Sequence, residues 1–177
     1  FSINQKNKNT PPIFLGEITK PFIGSIFEDK YKLNALLSIL NLIKLSIFEG
    51  QYIIGFYDSL EKLIEKIIYE KHWIISYCEW LFNLLTLIGY QIDYQNNKKN
   101  NYFNLSTQKF VKIFENKCIQ FPHSLFSIDN CITFKNISAV FEIFESIFLK
   151  NHLDSNNYKI LSNYLSFKNL ILDRLKI

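Results

Sequence analysis

A chain of 177 residues with 48% hydrophobic and 16% aromatic residues has ample material for the core of one domain, which excludes a chain disordered by composition. Its net charge of +4, from 20 Lys and Arg residues of which Arg174 is the only arginine, is basic but too small for a polycationic arm. No run reaches the roughly 18 uninterrupted apolar residues of a membrane span and no export leader opens the chain, so no membrane partner is expected and a cytoplasmic location is the default. The chain opens on Phe1 and holds no methionine, so further residues are expected before it.

Residues 1–12 are polar and Asn/Lys-rich up to the Pro11-Pro12 pair and read as a loop or linker. Residues 13–22 alternate enough to read as a strand. Asp29 stands at an N-cap position, and Leu33, Leu36, Leu37, Leu40, Ile43 and Ile47 recur at helical spacing up to Gly50, which predicts a helix over 30–49. A second helix is predicted over 56–69, with Leu60, Leu63, Ile64, Ile67 and Ile68 inward and Glu61, Lys62, Glu65 and Lys66 in water.

The third helix, from His72, is the centre of the pattern. Ile74, Tyr77, Cys78, Leu81, Leu84, Leu85 and Ile88 share one face; Trp80, Phe82 and Leu87 lie off it, leaving Ser76, Glu79, Asn83 and Thr86 as a narrow wet stripe. A helix so largely apolar needs neighbours on several sides. Gly89 supplies a left-handed residue after its last turn, and Ile92 and Tyr94 alternate with Asp93 as a strand would. Residues 95–101 have no apolar side chain and read as exposed loop. Tyr102–Leu105 and Lys109–Phe114 then flank Ser106-Thr107-Gln108 as a hairpin. Helical spacing resumes at Ile137 (Val140, Phe141, Phe144, Ile147, Phe148), and a last helix is capped by Asp154 or Ser155, with Ile160, Leu161, Tyr164 and Leu165 on its face. The fold class is mainly α: a helical, bundle-like domain over 25–177 with a loop-and-hairpin insert at about 93–135.

Little here carries covalent chemistry. His72, His123 and His152 do not stand at spacings that pair them with a base, nucleophile or ligand, and Cys78, Cys118 and Cys131 form no CxxC pair, so neither a metal nor a cofactor is expected. Glu61/Glu65 and Glu142/Glu145 lie one turn apart as on any wet helix face. No phosphate-binding glycine motif and no nucleophile elbow occurs, and the chain reads as a non-enzyme. The lysines are more suggestive: Lys98 and Lys99 in the polar loop, and Lys109, Lys112 and Lys117 on or after the hairpin, interleave with Phe103 and Phe110. Cations beside aromatic rings suit a single strand of nucleic acid.

Read in order, these pieces resemble RecO, the recombination mediator of bacterial DNA repair. The likeness starts at Leu15-Gly16, runs through the Asp29 helix and Phe56-Tyr57-Asp58-Ser59-Leu60, and is fullest in the central helix. There Tyr77, Trp80, Leu84-Leu85, Gly89-Tyr90 and Ile92-Asp93 follow the family's aromatic, Leu-Leu, Gly-aromatic and Leu-Asp run. Tyr102 to Val111 resembles its Tyr-x-Ser-Pro-x-x-Gly-Arg-x-Val hairpin, Phe121-Pro122 its Leu-Pro, and His152-Leu153 and the helix after Ser155 complete the order. Leu81 replaces a frequent Glu and is expected buried. Asn104-Leu105 replaces Ser-Pro, Gln108 replaces Gly, and Lys159 stands for an Arg.

The resemblance implies that residues 1–24 are the end of an N-terminal OB-fold plus linker. It also implies that the insert derives from a zinc finger that has lost its zinc, since the chain has no cysteine between Asp93 and Lys117 where many of these proteins carry four. Tyr77, Trp80, Gly89, Tyr90, Asp93 and Tyr102 are then structural pattern residues, and Lys98, Lys99, Lys109, Lys112 and Lys117 the candidates for nucleic acid. The implied partners are single-stranded DNA, the acidic, apolar-ended C-terminal tail of single-stranded DNA-binding protein, and RecR, with RecA loading and strand annealing as the outcome in a cytoplasmic, nucleoid-associated setting. The alternative is an all-helical protein interaction or scaffold module, with lysines that only solubilise it.

Overall fold

The structure is a computed structural model and describes residues 2–4, 13–15, 22–48, 50–97, 101–128, 130–153 and 161–176. Its helices begin where the sequence supplies caps. A short helix α1 (Phe22–Ile26) precedes α2 (Lys30–Ser46), whose first amides, those of Tyr31 and Lys32, are accepted by the Asp29 carboxylate at 2.9 and 3.2 Å. Helix α3 (Phe56–Tyr69) follows Gly55, and α4 (Trp73–Leu87) follows His72, neither with a side-chain cap. Helix α5 (Phe134–Asn151) starts three residues before the apolar spacing implied, because the Thr133 hydroxyl accepts the Asn136 amide at 3.2 Å and caps it there. Helix α6 spans Ser162–Leu175; the expected caps Asp154 and Ser155 lie outside the described residues.

Ten of the fifteen residues of α4 are buried, and every other long helix is organised around it. Helix α3 and helix α5 pack on it directly, while α2 and α6 form the most extensive helix pair and close over Tyr77. The Tyr77 ring meets Phe167 of α6 edge-on at 4.6 Å, and its hydroxyl shares a 2.6 Å hydrogen bond with Ser38 of α2. Leu81 is fully buried, as expected at that position. Ser76 is buried too rather than wet, its hydroxyl donating to the Glu70 carboxylate at 3.2 Å. After Leu87 the chain turns on Gly89 at φ 97°. The Gly89 amide donates to the Thr86 carbonyl and the Tyr90 amide to the Leu85 carbonyl at 2.7 Å, the paired bonds of a Schellman ending.

Helix α2 does not bury all of the apolar residues that mark its helical spacing. Ala35, Ser38, Ile39, Leu42 and Ser46 are buried, while Leu37 and Leu40 are exposed, Leu40 to 52%. The helix is apolar nearly all round, so spacing alone does not choose a side. The buried side includes the small residues Ala35, Ser38 and Ser46, and Ser38 hydrogen-bonds Tyr77 of α4 there. The helix also ends at Ser46, short of the expected Glu49.

Strand β1 (Ser2–Asn4) pairs antiparallel with β2 (Ile13–Leu15), so a strand stands within the stretch read as linker, and Phe22, read as strand, begins α1. In the insert, β3 (Tyr102–Asn104) and β4 (Lys109–Val111) form the expected hairpin, and β5 (Cys118–Gln120) adds a third strand on the other edge of β3 in the order β4-β3-β5. Sequence reading missed β5 because three residues between two turns are too short to show alternation. Residues 92–94 are not a strand. Instead the Asp93 carboxylate accepts the Asn96 amide and side chain and holds a turn.

Candidate nucleic-acid interface

The two faces of the three-stranded sheet have different tasks. Register places Phe103 opposite Phe110 and Ile119, which share the inner face; Tyr102 with Val111 and Gln120, and Asn104 with Lys109 and Cys118, share the outer one. On the inner face Phe103 is buried and meets Phe110 edge-on at 5.2 Å, and Phe110 meets Phe121 at 5.0 Å. Phe121 continues into Phe82 of α4, Tyr94 and Phe126, all with centroids 5.2–6.2 Å apart. This cluster fastens the insert to the central helix. It also removes Phe103 from any role against a ligand, and Phe110 is half-buried within it.

The hairpin loop is fixed from both ends. The Asn104 carboxamide oxygen accepts the amides of Ser106 and Thr107, and the Gln108 amide donates to the Asn104 carbonyl at 2.8 Å. Gln108 adopts a left-handed φ of 56°, a conformation glycine accepts far more readily. It is held there by α5: its side chain donates to the Ser146 carbonyl at 3.0 Å and accepts from Asn151 at 2.9 Å, while Lys150 donates to the Ser106 carbonyl.

Lys109, Lys112 and Lys117 are all exposed, and among the described residues none is in an ion pair. Lys109 pairs with Asn104, and Lys117 immediately precedes Cys118, the other partner of Asn104, so these two flank one end of the sheet. Lys112 follows Val111, whose partner is Tyr102, and so stands at the other end. Lys98 and Lys99 lie outside the described residues. The exposed rings beside these lysines are not the two the sequence singled out. Phe114 is 64% exposed, lies edge-on to Tyr102 at 5.5 Å, and follows an exposed Ile113. The apolar pair Ile113-Phe114 inside a polar turn was the available signal.

Between the outer sheet face and the start of α5 lies a cleft of about 550 Å³, lined by Tyr102, Phe114, Cys118, Gln120, Phe134 and Glu142 among others. A second cleft of about 300 Å³ opens where α4 begins and α6 ends. Trp73, Ile74, Ile132, Ile171 and Leu175 line it, with Lys71, His72 and Arg174 as its charged or titratable residues and no carboxylate among the described residues. The Arg174 guanidinium also lies 4.3 Å from the Tyr31 ring centroid, a cation–π contact that orients it.

The other pattern residues hold the scaffold. Tyr77 is buried at the centre. Trp80 is buried, and its indole Nε1 is the one buried side-chain polar atom lacking a partner among the described residues. The Tyr90 hydroxyl donates to the Asn151 carbonyl at 2.9 Å, and its ring stands edge-on to His152. His152 Nε2 lies 3.0 Å from the Leu45 carbonyl, a structural contact between α5 and the end of α2. Cys78 and Cys118 are buried free thiols and Cys131 is an exposed one. Burial, reinforced by the charge of Glu79, pushes the Cys78 pKa far above its ordinary value, so this thiol stays protonated and inert.

The fold and clefts define a mainly α-helical domain carrying a small antiparallel sheet, with exposed rings and lysines on the sheet and a second, cation-lined cleft between helices. Comparison with family models, with curated proteins and with solved structures returned no match. Among the described residues no helix is long and apolar enough to cross a membrane, and no three His, Cys, Asp or Glu side chains converge as a metal site.

Proposed function

We propose that the chain is a non-catalytic mediator of DNA repair and homologous recombination resembling RecO, which binds single-stranded DNA and the tail of single-stranded DNA-binding protein and acts with RecR to load RecA and anneal strands. The observation that carries this reading is Gln108. The family's hairpin pattern has Gly at that position, and the backbone there has the φ of 56° that glycine favours. The central helix supports it in the same way, with its Leu84-Leu85 pair buried and its stop at Gly89. On this reading residues 1–24 are the end of an OB-fold, the insert at about 93–135 descends from a zinc module now held by aromatic packing, and the protein works in the cytoplasm at the nucleoid.

The cleft between α4 and α6 suits the tail. An apolar terminal side chain fits against Trp73, Ile171 and Leu175, and its carboxylate and acidic neighbours meet Lys71, Arg174 and the uncapped amides at the start of α4. The test is a titration with a short acidic peptide ending in Phe, read by fluorescence anisotropy. Binding is expected at low salt, weakening as salt rises and lost on Lys71→Glu. Absence of binding at low salt overturns the tail-binding part of the proposal.

A further inference from the structure

We infer that the cleft on the outer face of the sheet receives an unstacked base of a single-stranded nucleic acid, with the rings of Tyr102, Phe114 and Phe134 against the base and Glu142 reading its edge. This deepens, and rests on, the single-strand-binding reading above. Three observations carry it together. The cleft holds about 550 Å³ and is walled by three aromatic side chains contributed by β3, by the turn after β4 and by α5. Of these Phe114 is 64% exposed and Phe134 37%, which leaves ring surface free for stacking. One cation lines the cleft, a second lies over one of its rings, and two more flank Phe114 in the sequence. Lys135 lines the cleft, donating to the Gln120 carboxamide at 2.8 Å with two N–H groups left over; Lys112 and Lys117 bracket Phe114 in the chain; and Lys176 lies 5.7 Å from the Phe134 centroid while paired to Asp173.

The carboxylates at the cleft oppose a purely electrostatic mode. Glu115 follows Phe114, and the exposed Glu142 lines the wall, its Oε1 accepting from Ser138 at 3.0 Å. A carboxylate beside stacking rings accepts from the exocyclic N4 amine of cytosine, where thymine presents the O4 carbonyl and leaves only its N3–H to donate. The site therefore prefers cytosine to thymine, whereas a lysine-only surface is indifferent to the base.

The experiment measures anisotropy of labelled dC12, dT12 and a 12-bp duplex with the full chain at low salt, for the wild type and for Phe114→Ala, Phe114→Trp and Glu142→Gln. The wild type is expected to bind dC12 more tightly than dT12 and the duplex least. Phe114→Ala weakens binding of both single strands at least about five-fold, the low end of what stacking one base contributes. Phe114→Trp retains affinity and its new indole emission is quenched on binding, and Glu142→Gln equalises dC12 and dT12. Wild-type binding unchanged in Phe114→Ala, or equal binding of duplex and single strands, overturns the base-stacking site while leaving the single-strand reading standing. Absence of wild-type binding to every oligonucleotide overturns both. A change of oligomeric state in Phe114→Ala without change in affinity assigns the cleft to a second copy of the chain and also overturns the inference.

Discussion

Two sets of aromatic rings in this molecule meet opposite fates. Around Tyr77, the rings of Trp80, Phe141, Tyr164 and Phe167 are buried in the helical core, within 6.5 Å of one another in chains of contact, and the Tyr77 and Tyr164 hydroxyls have partners in Ser38 and Glu145. On the outer face of the sheet, Tyr102 and Phe114 make a single edge contact and leave most of Phe114 in water. The composition is alike and the packing is not. An aromatic that fills a core contributes its area and fixes its neighbours. One left at a surface beside lysines contributes little to stability and is available to a partner.

Truncating each set separates these roles, and the largest effect belongs to the core. Phe141→Ala removes a fully buried ring of α5 that touches Tyr77, Tyr164 and Phe167, and should cost about 3–5 kcal/mol in urea unfolding. Alkaline pH attacks the same region. Burial raises the pKa values of Tyr77, Tyr164 and Cys78 far above their ordinary values; the Ser38 hydrogen bond partly offsets this at Tyr77, and the Glu145 charge adds to it at Tyr164. A raised folded-state value means that stability is complete below the unfolded pKa, near 9 for the thiol and 10 for the phenols. It is then lost as pH rises, at about 1.4 kcal/mol per pH unit for each group. Stability from denaturant titrations should be flat from pH 7 to about 8.5 and fall steeply above about 10, and Tyr77→Phe should lessen the slope.

Gln108→Ala tests the boundary between the two regions. It keeps the left-handed strain and removes both side-chain bonds to α5, for a cost of about 1–3 kcal/mol by thermal melting, whereas Gln108→Gly relieves the strain and should cost less. Smallest of all, Phe114→Ala should change stability by no more than about 0.5 kcal/mol while it changes nucleic-acid affinity. A large stability loss there would show that the outer rings belong to the core after all.

What the sequence disclosed follows the same division. Helix α4 was legible because its apolar face is continuous and Gly89 marks its end, and α3 because its two faces differ sharply in charge. Helix α2 was legible as a helix but not in orientation: leucines stand on both sides of it, and its buried side includes Ala35, Ser38 and Ser46, small residues that a hydrophobicity pattern does not register. In the insert the hairpin was legible from its polar turn, but not which ring faced where. Phe103 and Phe110 alternate with polar neighbours just as ligand-facing rings would, and only the pairing register turns them inward and leaves Phe114 outside. Short strands carry too few residues for alternation to decide.

The pairing of α2 with α6 has a consequence for how the domain is made. These helices lie near opposite ends of the described chain, and together they close over Tyr77. During synthesis the ribosome therefore releases α2, α3, α4, the insert and α5 before the partner of α2 exists. Until residues 162–175 emerge, α2 lacks its most extensive helix contact, and the surface it gives to α6 is open to wrong partners. Release of α6 completes the helix pair over Tyr77, and a chain stopped before Ser162 is expected to unfold at lower denaturant than the full chain.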